Sequence, residues 1–192
     1  MALTQTPVCN FGELAHDFRL PDPDGKLWSL ADCRGEKGLL VMFICNHCPY
    51  VQAIREQLVR DVRELEVHGV KSAAIMPNDY SAYPEDAPEN MRRVAQHCGF
   101  TFPYLIDESQ ELARAYGAVC TPDFFGYNAN LELQYRGRLD ATSPGRPAPA
   151  GSKRELLEAM IEVARTGKGP AEQIASMGCS IKWRKYRGEH VL

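Results

Sequence analysis

A short apolar segment that ends in two closely spaced cysteines constrains the fold of this chain more than any other feature. Residues 39–44 are apolar at every position, which favours a strand that is covered on both faces. Cys45 and Cys48 follow, and Pro49 then suits the first turn of a helix because it has no backbone N–H that needs a partner. We therefore predict that the two cysteines lie where a buried strand ends and a helix begins.

This position favours redox chemistry at the two cysteines. We expect Cys45 to lie at the positive end of the helix dipole, which favours thiolate over thiol. Cys48 follows three residues later, on the same face and within reach of a disulfide. The pattern is typical of a redox dithiol in which Cys45 attacks and Cys48 then displaces the mixed disulfide. The alternative is a pair of buried structural cysteines. His47 would stabilise the thiolate when protonated, or else be a solvated loop residue.

Strand-like and helix-like segments alternate along the rest of the chain. Apolar residues at helical spacing over 51–65, followed by a β-rich segment at 70–76, predict a right-handed βαβ unit. Turn-forming residues at 22–26 predict an N-terminal hairpin. We expect the remaining helices at 89–98, 109–116 and 153–165, and the remaining strands at 102–106, 124–127 and 131–136. We predict a single domain over residues 1–192, with an inserted loop at 141–152 and a C-terminal tail at 167–192.

Composition and charge argue against several classes of function. The net charge of −3 leaves no basic footprint for nucleic acid, and no basic run points to an anionic membrane. No apolar stretch reaches the length of a membrane span. The first residues lack the pattern of a signal peptide, so we expect a cytoplasmic protein. Seven cysteines is an odd number, which argues against a full framework of structural disulfides.

The order of these elements and the cysteine motif together resemble the thioredoxin-fold superfamily. The resemblance is closer to its redoxin branch, the alkyl hydroperoxide reductase/thiol-specific antioxidant-like proteins. Within that branch the chain is similar to a peroxiredoxin-like, thioredoxin-related group marked by CNHCPYV at 45–51 and GCSIKW at 178–183. The resemblance covers residues 16–183. It implies an α/β, thioredoxin-like (glutaredoxin-type) fold, with a central mixed β-sheet flanked by helices and an N-terminal hairpin extension.

The resemblance also implies the parts of an active site. Cys45 would be the exposed nucleophile and Cys48 its resolving partner. Thr121 and Pro122 would form a cis-proline peptide that faces the dithiol and offers backbone groups to an extended substrate, with His47 beside it. No cofactor is implied, and an unidentified dithiol would supply the electrons.

The chain departs from these relatives inside the motif, where Asn46 and His47 replace the proline of thioredoxins, and at four positions close to it. Thioredoxins have a buried carboxylate where this chain has Leu39, and usually a tryptophan where it has Ile44. Typical peroxidatic sites have proline and threonine where it has Gly38 and Met42. The chain therefore lacks the carboxylate of the usual thioredoxin proton shuttle. It also lacks the threonine that helps to hold the peroxide in peroxidases.

Two further cysteines are open to more than one interpretation. Cys120 precedes Thr121 and is either a buried cysteine at the end of a strand or a thiol that approaches the dithiol. Cys179 either packs beside Trp183 in the tail or folds back as a third redox cysteine, which the neighbouring Gly178 would permit.

Four functions are compatible with the sequence. The first is a thiol–disulfide oxidoreductase that reduces or exchanges protein or small-molecule disulfides through Cys45 and Cys48. The second is a peroxiredoxin-like thiol peroxidase, an antioxidant enzyme in which hydroperoxides oxidise Cys45 to a sulfenic acid. The third is a carrier of a soft metal such as copper, bound by Cys45, His47 and Cys48 with Cys120 or Cys179, although no second pair completes a zinc site. The fourth is a redox-inert interaction domain. A monomer and a homodimer both fit the sequence.

Overall fold

A five-stranded mixed sheet forms the centre of the structure, a computed structural model that describes residues 3–185. The strands are β1 (Leu3–Gln5), β2 (Arg19–Pro21), β3 (Leu27–Ser29), β4 (Gly38–Phe43), β5 (Val70–Met76), β6 (Tyr104–Ile106), β7 (Cys120–Thr121), β8 (Asp123–Asn128), β9 (Leu133–Tyr135) and β10 (Met177–Ser180). The helices are α1 (Leu30–Cys33), α2 (Pro49–Val67), α3 (Pro88–Cys98), α4 (Glu111–Ala115) and α5 (Glu155–Thr166), with a 3-10 turn at Pro84–Asp86.

The order of the central sheet is β6-β5-β4-β8-β9. Strands β4, β5 and β6 are parallel, β8 runs antiparallel to β4, and β9 runs antiparallel to β8. The central mixed sheet predicted from the sequence is therefore confirmed. The N-terminal hairpin is also present, because β2 and β3 pair with Leu20 opposite Trp28.

Strand β4 is buried along its whole length because helices cover both faces of the sheet. Side chains alternate between the faces of a strand. Leu40 and Met42 accordingly belong to the core cluster that contains residues of α2 and α5, whereas Val41 and Phe43 belong to the cluster that contains residues of α1 and α4. This explains why the run 39–44 has no polar position.

The β4–α2–β5 unit places the cysteine motif at one edge of the sheet. Helix α2 starts at Pro49, earlier than the apolar spacing alone indicates, because proline fits the first helical position. The helix ends before Gly69, whose φ of +78° reverses the chain into β5. Strand β5 then runs parallel to β4, with Leu40 opposite Ser72.

The C-terminal segment is more ordered than the sequence indicates. Within the predicted tail, β10 pairs antiparallel with β1 on one side and with β7 on the other. Gly178 allows this close approach, since a Cβ there would lie 2.0 Å from the carbonyl oxygen of Thr121. Residues 186–192 of the predicted tail lie outside the described residues. Residues 141–152 contain no helix or strand, apart from an isolated bridge between Ser143 and Arg146.

Within residues 3–185, no helix combines the length and the apolar character that a membrane crossing requires.

Candidate active site

The two cysteines of the motif come together beside a single threonine. Strand β4 ends at Phe43, the chain bends through residues 44–47, and Cys48 is the N-cap of α2. The Cys45 Sγ lies 3.3 Å from the Thr121 Oγ1, and the Cys48 Sγ lies 3.0 Å from the Thr121 carbonyl oxygen. Thr121 therefore touches both sulfurs, one with its side chain and one with its backbone.

The peptide between Thr121 and Pro122 is cis, as the family resemblance implied. Pro122 separates the short strand β7 from β8, and Asp123 at the start of β8 is paired with Phe43 at the end of β4. This register places the proline loop next to the cysteine motif. The structure thus brings together four of the residues predicted for the site, Cys45, Cys48, Thr121 and Pro122.

Two expectations about Cys45 are wrong. It is not exposed, because only 1% of its surface is accessible, and Cys48 is fully buried. Thr121 lies against its sulfur, and strand β10 pairs with Thr121 through Cys179. Nor is Cys45 the residue at the positive end of the helix, since Cys48 occupies the N-cap position.

The two thiols titrate as a pair. The hydrogen bond between them, together with burial, holds the pKa of Cys45 well above its usual range. The same bond lowers the pKa of Cys48 to about 5, against the effect of burial and with help from backbone N–H groups of α2 and β10. One contact acts in the opposite direction, because a Cys48 thiolate has no proton to donate to the Thr121 carbonyl oxygen 3.0 Å away. We therefore assign one negative charge to the pair near neutral pH rather than to either sulfur alone.

His47 is held by a buried carboxylate. Its Nδ1 lies 2.7 Å from the Asp86 Oδ2, and its ring stacks on Tyr83 with centroids 5.2 Å apart. Its side chain is only 13% exposed, so the interpretation as a solvated loop residue is wrong. The hydrogen bond that His47 donates to Asp86 raises the pKa of His47, although burial partly offsets it. His47 therefore keeps its positive charge to a higher pH than a free histidine.

Asp86 is the centre of a buried hydrogen-bond network that holds the cysteine motif. Besides His47, the carboxylate accepts the Asn46 backbone N–H at 2.8 Å, the His47 backbone N–H at 3.3 Å and the Asn78 side-chain amide at 2.9 Å. Burial raises the pKa of Asp86, but these bonds outweigh it and leave the pKa below its usual value. The chain thus has a buried carboxylate near its dithiol even though Leu39 occupies the thioredoxin position.

Three site residues were not predicted from the sequence: Asp86, Asn78 and Tyr104. The Tyr104 hydroxyl donates to the Asn46 side chain at 3.2 Å. Asn78 carried a usable signal, because it closely follows β5, and parallel neighbouring strands bring their carboxyl ends to one edge of the sheet. Asp86 lies in a proline-bearing loop and carried no such signal.

The remaining two cysteines near the motif have different surroundings. Cys120 is buried at the start of β7 and its sulfur lies 3.6 Å from the Pro122 carbonyl oxygen. Burial raises the pKa of Cys120 far above its usual range, which fits a structural cysteine. Cys179 is paired opposite Thr121 and belongs to the core cluster of Cys45 and Cys48, not to the cluster against which Trp183 packs. Its role in redox chemistry stays a prediction.

Three potential metal ligands also lie close together. One ligand atom each of Cys45, His47 and Asp86 can be chosen so that all lie within 4.8 Å of one another. The Asp86 carboxylate already accepts four hydrogen bonds, and His47 is the partner in two of them. A metal ion bound here would have to displace part of the network that holds the motif.

Known proteins match this chain along most of its length. One match is the crystal structure of a protein of Geobacillus kaustophilus, which is described only as an uncharacterized conserved protein. The two sequences are 40% identical, and the match covers 96% of this chain and 97% of that chain with a TM-score of 0.88. A proposed peroxiredoxin of Mycobacterium tuberculosis is 27% identical over 124 residues, which are 65% of this chain and 74% of the relative.

A more distant structure identifies the fold. The crystal structure of peroxidoxin BcpB from Mycobacterium tuberculosis is 14% identical, covers 82% of this chain and 97% of that one, and has a TM-score of 0.61. The predicted thioredoxin-like fold is thereby confirmed. The finer group marked by CNHCPYV and GCSIKW stays a prediction. The model of the AhpC/TSA family matches residues 11–141, which include both cysteines of the motif and the cis-proline loop. This chain is therefore a thioredoxin-fold redoxin that belongs to the AhpC/TSA family.

Proposed function

We propose that this protein is a thiol–disulfide oxidoreductase in which Cys45 and Cys48 pass two electrons to a protein or small-molecule disulfide. One observation carries the proposal: the Cys45 and Cys48 sulfurs meet at a cis-Thr121–Pro122 peptide, and Thr121 contacts both of them. A pair that shares one negative charge has both the nucleophile and the second thiol that an exchange reaction needs.

The reaction has two exchange steps. The Cys45 thiolate attacks one sulfur of the substrate disulfide, forms a mixed disulfide and releases the other sulfur as a thiolate. Cys48 then attacks the Cys45 sulfur, which releases the second substrate thiol and leaves a Cys45–Cys48 disulfide. The substrate is reduced by two electrons, and an external dithiol returns them to the protein. The order of attack, Cys45 first, is part of the proposal.

His47 supports this chemistry from one side of the motif. Its partner Asp86 favours the protonated ring, and a positive charge beside the dithiol stabilises the thiolate form. We expect the reduced state to gain from this charge, which makes the disulfide more oxidising. We also place the activity in the cytoplasm, on the support of the odd number of cysteines, because a reducing compartment would keep the dithiol reduced.

A titration against glutathione buffers tests the proposal. The expected result is one two-electron couple, formed by Cys45 and Cys48, within the range of about −270 to −120 mV that dithiol enzymes span. Cys48→Ser should abolish the couple, while Cys98→Ser, at the end of α3, should leave it unchanged. Reduction of insulin disulfides by the reduced protein would then show activity on a polypeptide. Absence of a Cys45–Cys48 couple over this range would overturn the proposal.

A second candidate function, a thiol peroxidase, is favoured by the burial of the site. A hydroperoxide is small enough to reach the sulfur of a residue that is only 1% exposed, whereas a protein disulfide needs the covering segment to move. Thr121 also brings a hydroxyl to within 3.3 Å of the Cys45 sulfur, on a site where Met42 replaces the usual threonine. In this reaction Cys45 takes one peroxide oxygen as a sulfenic acid and an alcohol leaves. Cys48 then forms the disulfide and releases water.

Hydrogen peroxide separates the two functions. If the first function is correct, the reduced protein reacts with peroxide no faster than a free thiol while its disulfide exchange is fast. Rapid loss of peroxide that depends on Cys45 would assign the second function instead.

A further inference from the structure

Strand β10 occupies the backbone position beside the cis-proline loop. Its Cys179 is paired opposite Thr121, and Ser180 is paired opposite Cys120. The approach is so close that only glycine fits at the preceding position, since a Cβ on Gly178 would meet the Thr121 carbonyl oxygen at 2.0 Å. A segment of the chain itself therefore lies where the loop would otherwise offer its backbone to an extended substrate.

The pairing turns Cys179 towards the dithiol. Cys179 is only 4% exposed and belongs to the same core cluster as Cys45 and Cys48. Besides Cys45, the backbone N–H and the thiol of Cys179 help to lower the pKa of Cys48, which agrees with a position of Cys179 beside that sulfur. The Cys48 sulfur also contacts the carbonyl oxygen of Thr121, the residue directly opposite Cys179. Cys48 thus has two neighbouring thiols, those of Cys45 and Cys179.

The strand that carries Cys179 is held from its outer edge as well. Strand β1 pairs with β10, with Leu3 opposite Cys179. Just beyond the paired residues, the Thr6 backbone N–H donates a hydrogen bond to the Ser176 carbonyl oxygen. The Ser176 hydroxyl also donates to the Pro122 carbonyl oxygen at 2.8 Å. These contacts fix the position of Cys179 relative to the proline loop, which is what an intramolecular exchange partner requires.

We propose that Cys179 is a third redox residue of this site, which takes over the disulfide from Cys45. This step rests on the proposed oxidoreductase function. In it, the Cys179 sulfur attacks the Cys48 sulfur of the Cys45–Cys48 disulfide. The Cys45–Cys48 bond breaks, a Cys48–Cys179 bond forms, and the proton of Cys179 passes to the departing Cys45. No electrons are gained or lost, so the oxidised protein holds its disulfide in either of two places, and Cys45 is free in one of them.

The state of Cys179 before the exchange agrees with this role. Burial raises the pKa of Cys179 to about 11, so it stays a protonated thiol in the reduced protein. It therefore does not compete with the Cys45–Cys48 pair for the negative charge, and acts only once Cys48 has become a disulfide sulfur.

The full-length Cys45→Ser variant tests the contact directly, with oxidised glutathione as the probe. Glutathione should first form a mixed disulfide with Cys48. Cys179 should then displace it, which releases reduced glutathione and leaves a Cys48–Cys179 disulfide. After the free thiols are alkylated, mass spectrometry of unreduced peptides should show this link as the main product.

Two matched variants complete the test. Cys45→Ser with Cys179→Ser should stop at the glutathione adduct on Cys48. Cys45→Ser with Cys120→Ser should still form the Cys48–Cys179 link, since Cys120 is the neighbouring cysteine on the opposing strand and has no part in the exchange. The proposal is overturned if the glutathione adduct persists on Cys48 while Cys179 is alkylated in the Cys45→Ser protein.

The result is independent of the proposed function. The Cys45→Ser protein lacks the Cys45–Cys48 couple, so its cross-link reports only whether Cys179 reaches Cys48. If the Cys45–Cys48 couple of the wild type does not titrate but the Cys48–Cys179 link forms, the oxidoreductase function is wrong and the contact between Cys179 and Cys48 is confirmed. If the couple titrates and the link does not form, only the role of Cys179 falls. In wild-type protein, the same peptide mapping should find both disulfides after oxidation.

Discussion

Replacing Asp86 with asparagine tests whether the buried carboxylate holds the cysteine motif in place. The substitution keeps the size and shape of the side chain but removes its charge and replaces one acceptor oxygen with a donor. In the structure, each Asp86 oxygen accepts two hydrogen bonds: Oδ1 from the backbone N–H groups of Asn46 and His47, and Oδ2 from His47 Nδ1 and the Asn78 amide. In either orientation of the new side-chain amide, two buried N–H groups therefore face its NH2 group and not an acceptor oxygen.

The magnitude follows from these contacts. A hydrogen bond to a charged group contributes about 1.5–3 kcal/mol, so two such bonds amount to about 3–6 kcal/mol. A neutral His47 can accept from the new amide and recover part of this loss, which brings the expected destabilisation of Asp86→Asn to about 2–5 kcal/mol. The upper end agrees with the cost of breaking a buried ion pair, since Asp86 is fully buried and His47 nearly so.

The pH dependence gives a second, independent readout. The pKa of Asp86 is lowered in the folded protein, so its contribution is complete above the unfolded value of about 4 and is lost as the pH falls further. The pKa of His47 is raised, so its contribution is complete below the unfolded value of about 6.5 and is lost as the pH rises through the folded value. The difference in stability between wild type and Asp86→Asn should therefore be largest between about pH 4 and 6.5 and should shrink on either side.

Urea unfolding, followed by the fluorescence of Trp28 and Trp183, measures both effects. Asp24→Asn is the control, because the Asp24 side chain is 71% exposed and pairs with Arg92 at the surface. We expect this control to stay within about 0.5 kcal/mol of wild type. An Asp86→Asn protein that loses less than about 1 kcal/mol near pH 5.5, or whose loss does not shrink at alkaline pH, would refute the argument.

Three further predictions concern the thiols and the strand that covers them. Thiolate absorbance should show one step near pH 5, because the Cys45 thiol lowers the pKa of Cys48 to about 5. Cys48→Ser should remove that step. Appearance of both thiolates only near pH 9 would contradict this prediction. Thr121→Val removes the hydroxyl next to Cys45. The loss of this hydrogen bond should slow the attack of Cys45 on a disulfide by about 2–10-fold in stopped-flow assays. An unchanged rate would contradict a role for this contact. Gly178→Ala should force β10 away from Thr121 and speed alkylation of Cys48, whereas Ser180→Ala should not; equal alkylation rates would show that β10 does not cover the site.

The sequence predicts the centre of this fold well because its signals there are local. The unbroken apolar run of β4, the helical spacing after Pro49 and the β-rich segment of β5 each favour one structure without reference to distant residues. The cis-Thr121–Pro122 peptide could be expected only from the family resemblance, since a proline alone does not select the cis isomer.

The parts of the site that the sequence does not reveal depend on contacts between distant residues. Asp86 reaches Asn46 across 40 positions of the chain, from a loop whose sequence has no periodicity. Strand β7 has two residues, too few for an alternating pattern, so its pairing with β10 left no trace in the sequence. For the same reason the burial of Cys45 could not be predicted, because its surroundings are supplied by these distant segments.

The position of β10 between β1 and β7 also bears on how the protein is made. A ribosome adds residues in order, so β4, α2 and the cysteine motif emerge well before the strand that covers them. About 130 residues separate Cys48 from the end of β10, and at about 5–20 residues per second their synthesis takes roughly 7–26 s. During that interval the nascent chain presents Cys48 without its cover, and the oxidation state of the surrounding compartment can act on it freely. The site closes only when one of the last strands to emerge inserts beside the first.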